Sequence, residues 1–243
     1  MKMLTFSKRC AKEILRDPIN LSFGLGFPIV LLVLMSAIQA NIPVDLFVIE
    51  RLAPGIAVFG LSFITLFSAT LIARDRESSF LQRLYTTPLR SVDFILGYML
   101  PLIPISVAQS VICYALAIVF GLDIDFNIVL AILAIIPISV FYISLGLLFG
   151  SILNVKQVGG VCGGLLTNLS GWLAGIWFDL SLIGGVFEKI AKALPFSHAV
   201  ELERAIISGD MQSILPHFIV LILYSLVTTA SAILLFLRQM KKQ

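Results

Sequence analysis

Leu52 to Ala73 reads LAPGIAVFGLSFITLFSATLIA, and Arg74, Asp75, Arg76 and Glu77 follow at once. A helix needs about 20 apolar residues to cross the hydrocarbon of a bilayer. This run is long enough and holds no Asp, Glu, Lys or Arg. A barrel strand would alternate over about 10 residues instead. Five further stretches share the property: Leu21–Ala40, Phe94–Phe120, Phe126–Val155, Val158–Phe178 and Ile214–Leu237. The 17 basic and 14 acidic residues all lie between the six. The chain is 59% hydrophobic and 13% charged, with a mean hydropathy of +1.04. Soluble domains carry about 25% charge. A soluble enzyme, a disordered chain and a disulfide scaffold are excluded. The expected fold is an all-α integral membrane domain spanning residues 1–243, with six transmembrane helices.

Lys and Arg mark the cytoplasmic side of a membrane protein. With the N-terminus inside, Lys2, Lys8, Arg9, Lys12, Arg16, Arg74, Arg76, Arg83, Arg90, Lys156, Arg238, Lys241 and Lys242 are cytoplasmic. Only Arg51, Lys189, Lys192 and Arg204 are outside. Both termini are therefore expected in the cytoplasm of a multi-pass protein of the plasma (inner) membrane. The net charge of +3 is a topology signal. No basic patch interleaved with aromatics occurs, so no nucleic-acid partner is expected. Cys10, Cys113 and Cys162 offer no pair outside the membrane for a disulfide. No metal-ligand spacing is present.

The polar segments have structure of their own. Residues 1–20 include an amphipathic helix, Leu4 to Asp17, with Leu4, Ala11, Ile14 and Leu15 on one face, suited to the lipid headgroup layer. In the loop 74–93, Phe80 with Leu84 and Leu81 with Tyr85 are spaced i, i+4, which makes an apolar stripe on a short helix that Pro88 ends. A cytoplasmic loop needs no such stripe for its own stability, so a docking partner is expected. Residues 179–213 are long for an unstructured connection. Neither half, Leu182–Leu194 or Phe196–Ile207, can span, and two short re-entrant helices dipping in from outside are expected. Pro28, Pro101, Pro104 and Pro137 should kink their spans. Gly159 with Gly163, Gly160 with Gly164, and Gly171 with Gly175 are four apart, a spacing that lets helices approach closely.

The chemistry absent from the spans is informative. Ion-coupled carriers generally place ionisable groups near mid-membrane, and no span here has one near its centre. No GxxxxGK[ST] loop occurs, so ATP cannot be bound by that device in this chain. Ser170 and His217 are the only pair that could make a serine–histidine dyad. Energy for uphill transport should come from a partner. Candidate cargo-lining residues are the stripe Phe59, Phe63, Phe67 with Ser62 and Thr65 beside it, and Asn168 and Trp172 in the fifth span. Aromatic walls with a few hydroxyls suit an amphipathic ligand.

Together these features resemble the type-2 ABC exporter permeases. Arg76 to Leu89, RESSFLQRLYTTPL, is similar to that family's R-E-x-G-T-L-E-x-L-x-x-T-P-L run, with Ser79, Phe80 and Gln82 departing from it. Leu194 to Ala199 followed by Leu202 to Ala205 resembles its L-P-x-x-x-x…L-R-x run. The resemblance implies a permease subunit without an ATPase site of its own. Two copies of a separate ABC ATPase would bind ATP and Mg and dock from the cytoplasm. A second permease chain, a homodimer being the expected form, would face this one in the lipid. Arg76, Glu77, Phe80, Leu81, Leu84 and Tyr85 would form the coupling helix at the ATPase. The cargo route would run between the two permeases along the first, second and fifth spans. The implied cargo is a drug, antibiotic, peptide or lipid-like molecule, as in multidrug efflux. Lipid-linked polysaccharide is the alternative, and an ion-coupled carrier or channel the more distant one.

Overall fold

The computed structural model describes residues 2–78, 80 and 91–240, and every described element is helical. The helices are α1 (Lys2–Leu15), α2 (Pro18–Gln39), α3 (Ile49–Glu77), α4 (Ser91–Met99), α5 (Leu102–Val119) and α6 (Phe126–Ile152). They are followed by α7 (Val155–Val158), a π-helical segment (Gly159–Leu166), α8 (Thr167–Leu173), α9 (Leu180–Ile183), α10 (Gly185–Ala193), α11 (Pro195–Ser208) and α12 (Met211–Met240).

Five helical runs are long and apolar enough to cross a membrane: Asn20–Gln39, Ile49–Glu77, Val92–Val119, Phe126–Ile152 and Met211–Arg238. The apolar run of α3 is the spine of the bundle. In its most apolar window 89% of residues are buried, against 17% for α2 and 22% for α12. α3 packs most extensively on α6, and also touches α2, α5 and α11. Glycine makes the α3–α6 approach close. A Cβ at Gly146 would lie 2.2 Å from the Thr65 carbonyl oxygen, and one at Gly150 2.3 Å from that of Ala69. The same approach lets the Thr65 hydroxyl donate to the Tyr142 carbonyl at 2.8 Å and Ser68 to Ile143 at 3.1 Å. Interhelical bonds of this kind contribute roughly 0.6 kcal/mol each in membranes.

Several boundaries differ from the sequence expectation, each for a local reason. The third span is two helices, α4 and α5, because Pro101 lacks the amide that would carry the first into the second. The fifth run ends at Leu173 rather than Phe178, since residues 174–178 turn through Gly175 at φ +66°. Its first half is π-wound where four glycines (159, 160, 163 and 164) remove the side chains that hold an α turn tight. Thr167 braces the end of this segment, its hydroxyl donating to the Cys162 carbonyl five residues back. Residues 179–213 form three helices before α12 rather than two, α9 being an extra turn capped by Asp179. Gly209, at φ +73°, ends α11 in the left-handed conformation that favours glycine.

α1 also has an inward face. Phe6, Cys10 and Ile14 are buried, while of the face read as suited to lipid Leu4 and Leu15 are exposed, Ala11 is half-buried and Ile14 turns inward. Phe6 stands edge-on to Phe94 and Tyr98 of α4. The helix thus has a protein-facing stripe and, beside it, an apolar flank.

Candidate functional site

The end of the bundle bearing α1 concentrates charge, and its core is a carboxylate. Asp75 lies on the buried face of α3, one turn beyond Leu71, and is 2% exposed. Arg9 of α1 grips it with both terminal nitrogens, Nη2 reaching Oδ1 at 2.6 Å and Nη1 reaching Oδ2. The Tyr98 hydroxyl of α4 donates to Oδ2 at 2.8 Å. Arg9 also pairs with Glu13 at 2.6 Å, and its guanidinium stacks 4.0 Å above the Phe80 ring. One buried acid thereby ties α1, α3, α4 and Phe80 together. Arg74 adds an exposed pair with Asp17 at 3.1 Å, which is worth little by itself.

Arg76 and Glu77, at the end of α3, clamp the turn that joins α6 to α7. Arg76 donates to the carbonyls of Ser151 and, at 2.7 Å, Leu153. Those carbonyls end α6, where a cation offsets the negative pole of the helix. Glu77 Oε1 accepts the Val155 amide at 2.8 Å, and so caps the start of α7. Asn154 and Gln157 complete a capping box there. Arg76 and Glu77 therefore belong to the last turn of α3, not to a separate helix beginning at Arg76. Ser78, in extended backbone, closes α3. Phe80 is half-buried beneath Arg9. Leu81, Leu84 and Tyr85 lie outside the described residues.

The candidate cargo-lining residues fall into three groups. Phe59, Phe63 and Phe67 are buried against α2 and the turn after α8. Phe27 approaches Phe59 and Phe63 at 6.4 and 5.4 Å between ring centres, Trp177 approaches Phe59 at 5.6 Å, and a Cβ on Gly24 would overlap the Phe67 ring. Ser62 and Thr65 are buried and donate within the chain, Ser62 to the Phe59 carbonyl and Thr65 towards α6. Asn168 and Trp172 are exposed, Trp172 by 54%, beside exposed Leu165 and Leu169. A Cβ at Gly159, Gly160 or Gly164 would meet no neighbouring element within 4 Å, so no close helix approach uses these glycines among the described residues.

The opposite end holds two features that the hydropathy reading overlooked. Glu203 of α11 is fully buried and accepts the Tyr114 hydroxyl at 2.5 Å, while its Oε1 has no partner among the described residues. Burial pushes its carboxyl up to about 8, against the pull of the Tyr114 bond. The signal was present: Glu203 sits among Ala199, Val200, Leu202 and Ile206 on the apolar stripe of α11. The second is His198, whose Nδ1 lies 2.7 Å from Nδ1 of His217. Ser170 donates to the Thr167 carbonyl, so the serine–histidine pair considered for a dyad is not assembled. The three cysteines are free and buried.

A family model described as ABC-2 type transporter matches residues 1–208. Comparison with curated proteins returns no match.

Proposed function

The chain belongs to the ABC-2 type transporter family, and from that premise we propose that it is the membrane permease of an ATP-driven exporter, powered by two copies of a separate ATPase docked on its α1 end. The observation that carries this reading is the clamp made by Arg76 and Glu77. The loop that follows Ser78 is the segment on which an ATPase would press. Pressure there reaches α3 directly. Through Arg76 it reaches the end of α6, and through Glu77 the start of the fifth helical run. Arg9 and Asp75 carry the same displacement into α1 and α4. A push on one loop thus moves several helical runs as levers, and the permease itself does no bond chemistry. ATP and Mg would reside on the partner.

In this reading residues 1–20 lie at the cytoplasmic interface, 74–93 couple to the ATPase, and 179–213 form the outer re-entrant segment. Both termini are cytoplasmic. The second permease, a copy of this one, covers α2 and the exposed Asn168–Trp172 face. The cargo is hydrophobic or amphipathic. With 2 Trp and 5 Tyr in the chain, a lipid-linked sugar polymer is the less favoured cargo.

The test is reconstitution with the partner ATPase. Glu77→Ala should preserve co-purification of the two subunits yet uncouple ATP turnover from transport. Vesicle transport driven by a proton or sodium gradient without ATP, or a permease that captures no ATPase, would refute the proposal.

A further inference from the structure

The chain has two histidines, on different helices, and they touch. His198 lies in the first turn of α11 and His217 in the second turn of α12. Their Nδ1 atoms are 2.7 Å apart and their ring centres 5.0 Å. Both line a cavity of about 550 Å³ at the end of the bundle away from α1. We propose that His198 and His217 form a proton-operated clasp that fastens the short outer helices to α12 and releases them in acid.

The argument begins with proton counting. Two imidazole nitrogens at hydrogen-bond distance hold one proton between them, since one must donate and the other accept. A neutral pair meets this condition, and so does a pair carrying a single extra proton. A pair in which both rings are imidazolium does not, because two N–H groups then point at each other and two positive charges share a half-buried site. Other ties join these elements: α11 packs along α12, and the Tyr224 hydroxyl of α12 donates to the Ala193 carbonyl at the end of α10 at 2.9 Å. Releasing the clasp therefore loosens α11 on α12 at this end without detaching it.

The surroundings do not neutralise the second proton. Glu201 lies one turn along α11 from His198, but it is paired with Arg204 at 2.8 Å. Around the same cavity stand Lys192 from α10, Asp179 before α9, Arg51 from α3 and Asp45 from the α2–α3 connection. Acids and bases are equal in number there. Burial and the charge of His217 hold His198 below the ordinary imidazole range. The sign follows. A base whose folded value is depressed supports the closed form above its ordinary value of about 6.5, and that support is lost as pH falls below it. The clasp is closed at neutral pH and opens in acid.

The experiment uses the whole permease in lipid nanodiscs with ¹⁵N-labelled histidine, which gives signals from these two rings alone. The expected result is a ¹⁵N–¹⁵N coupling across the Nδ1–Nδ1 hydrogen bond at pH 7.5 that is lost in acid. The His217→Gln variant should leave His198 with a single step at higher pH. A wild-type spectrum at pH 7.5 without that coupling would overturn the clasp, and that spectrum decides even if the variant does not fold. A second readout is amide hydrogen exchange across residues 195–208, corrected for intrinsic rates. It is run in a Glu203→Gln background, because Glu203 on the same helix titrates in the opposite sense. Protection should fall at least tenfold between pH 7.5 and 5 when both histidines are present, and should stay level when both are Gln. Equal loss with and without the histidines would also overturn the proposal. Neither readout depends on what the chain transports.

Discussion

Replacing Asp75 by Asn isolates the latch that holds α1 on the bundle. Asn is nearly isosteric and its Oδ1 can still accept from Tyr98, so packing and one hydrogen bond survive. The lost contribution is the charge that holds Arg9. Removing one member of a fully buried ion pair costs about 3–5 kcal/mol. Arg9 is not fully buried, since its side chain is 34% exposed and Glu13 is a second partner at 2.6 Å. Water and Glu13 recover part of the cost, as solvent weakens exposed pairs. A net loss of about 2 kcal/mol is therefore expected, roughly a 30-fold shift in the local opening equilibrium by the relation of 1.36 kcal/mol per decade. The assay is hydrogen exchange of residues 4–14 in nanodiscs, with limited trypsin cleavage after Lys8, Arg9 and Lys12 as a second measure. Both should report the opening of α1 while α6 keeps its protection. A double-mutant cycle with Arg9→Met should give a coupling of at least about 1 kcal/mol, since the two residues are in direct contact. If Asp75→Asn leaves α1 protection within a factor of three of wild type, or if the two substitutions are additive, the buried pair is not what holds this helix.

Three further outcomes follow from the geometry. Gly146→Ala places a methyl group 2.2 Å from a backbone oxygen of α3, so α3 and α6 must separate; a loss of about 1–3 kcal/mol is expected from overpacking, read as a lower denaturation temperature, whereas Gly160→Ala, in a helical position with open space around it, should not lower that temperature in the isolated chain. Glu203→Gln mimics the protonated acid. The folded carboxyl is raised to about 8, so wild-type stability is greatest below the ordinary carboxylate value and falls as pH rises towards 8, while the variant should show no such slope and be the more stable protein at pH 8.5. A thermal unfolding series from pH 5 to 9 checks both the slope and its absence. Arg76→Gln keeps a donor but removes the charge facing the last carbonyls of α6, and exchange at Gly150–Leu153 should rise several-fold with little change in α3.

How much of this was legible in the sequence depends on what carried the signal. Run length and the positions of charge locate α2, α3, α6 and α12 closely, because lipid penalises any exception along 20 residues. The same reasoning does not see into the interfaces. Hydropathy treats Asp75 and Glu203 as polar borders, yet each lies on the buried stripe of its helix, where a partner from another element compensates for lost water. Arg9, Tyr98 and Tyr114 lie 66, 23 and 89 residues from their carboxylates, and no local pattern links them. The inward face of α1 was not legible for a related reason. A period of 3.6 marks an apolar sector but does not say that a second stripe, Phe6 and Cys10, meets protein once α4 stands beside it. Arg76 and Glu77 show the limit most clearly. The run Arg76 to Leu89 is continuous in the sequence across Ser78, whereas α3 ends there. The part before Ser78 braces two other helical runs at the end of the bundle. Under the proposed function the motif would have two mechanical tasks, and substitutions on either side of Ser78 should separate them: Glu77→Ala loosening the α6–α7 turn without loss of ATPase binding, Leu84→Ala weakening ATPase capture without loosening the turn. Identical effects from both would mean that the division at Ser78 has no functional consequence.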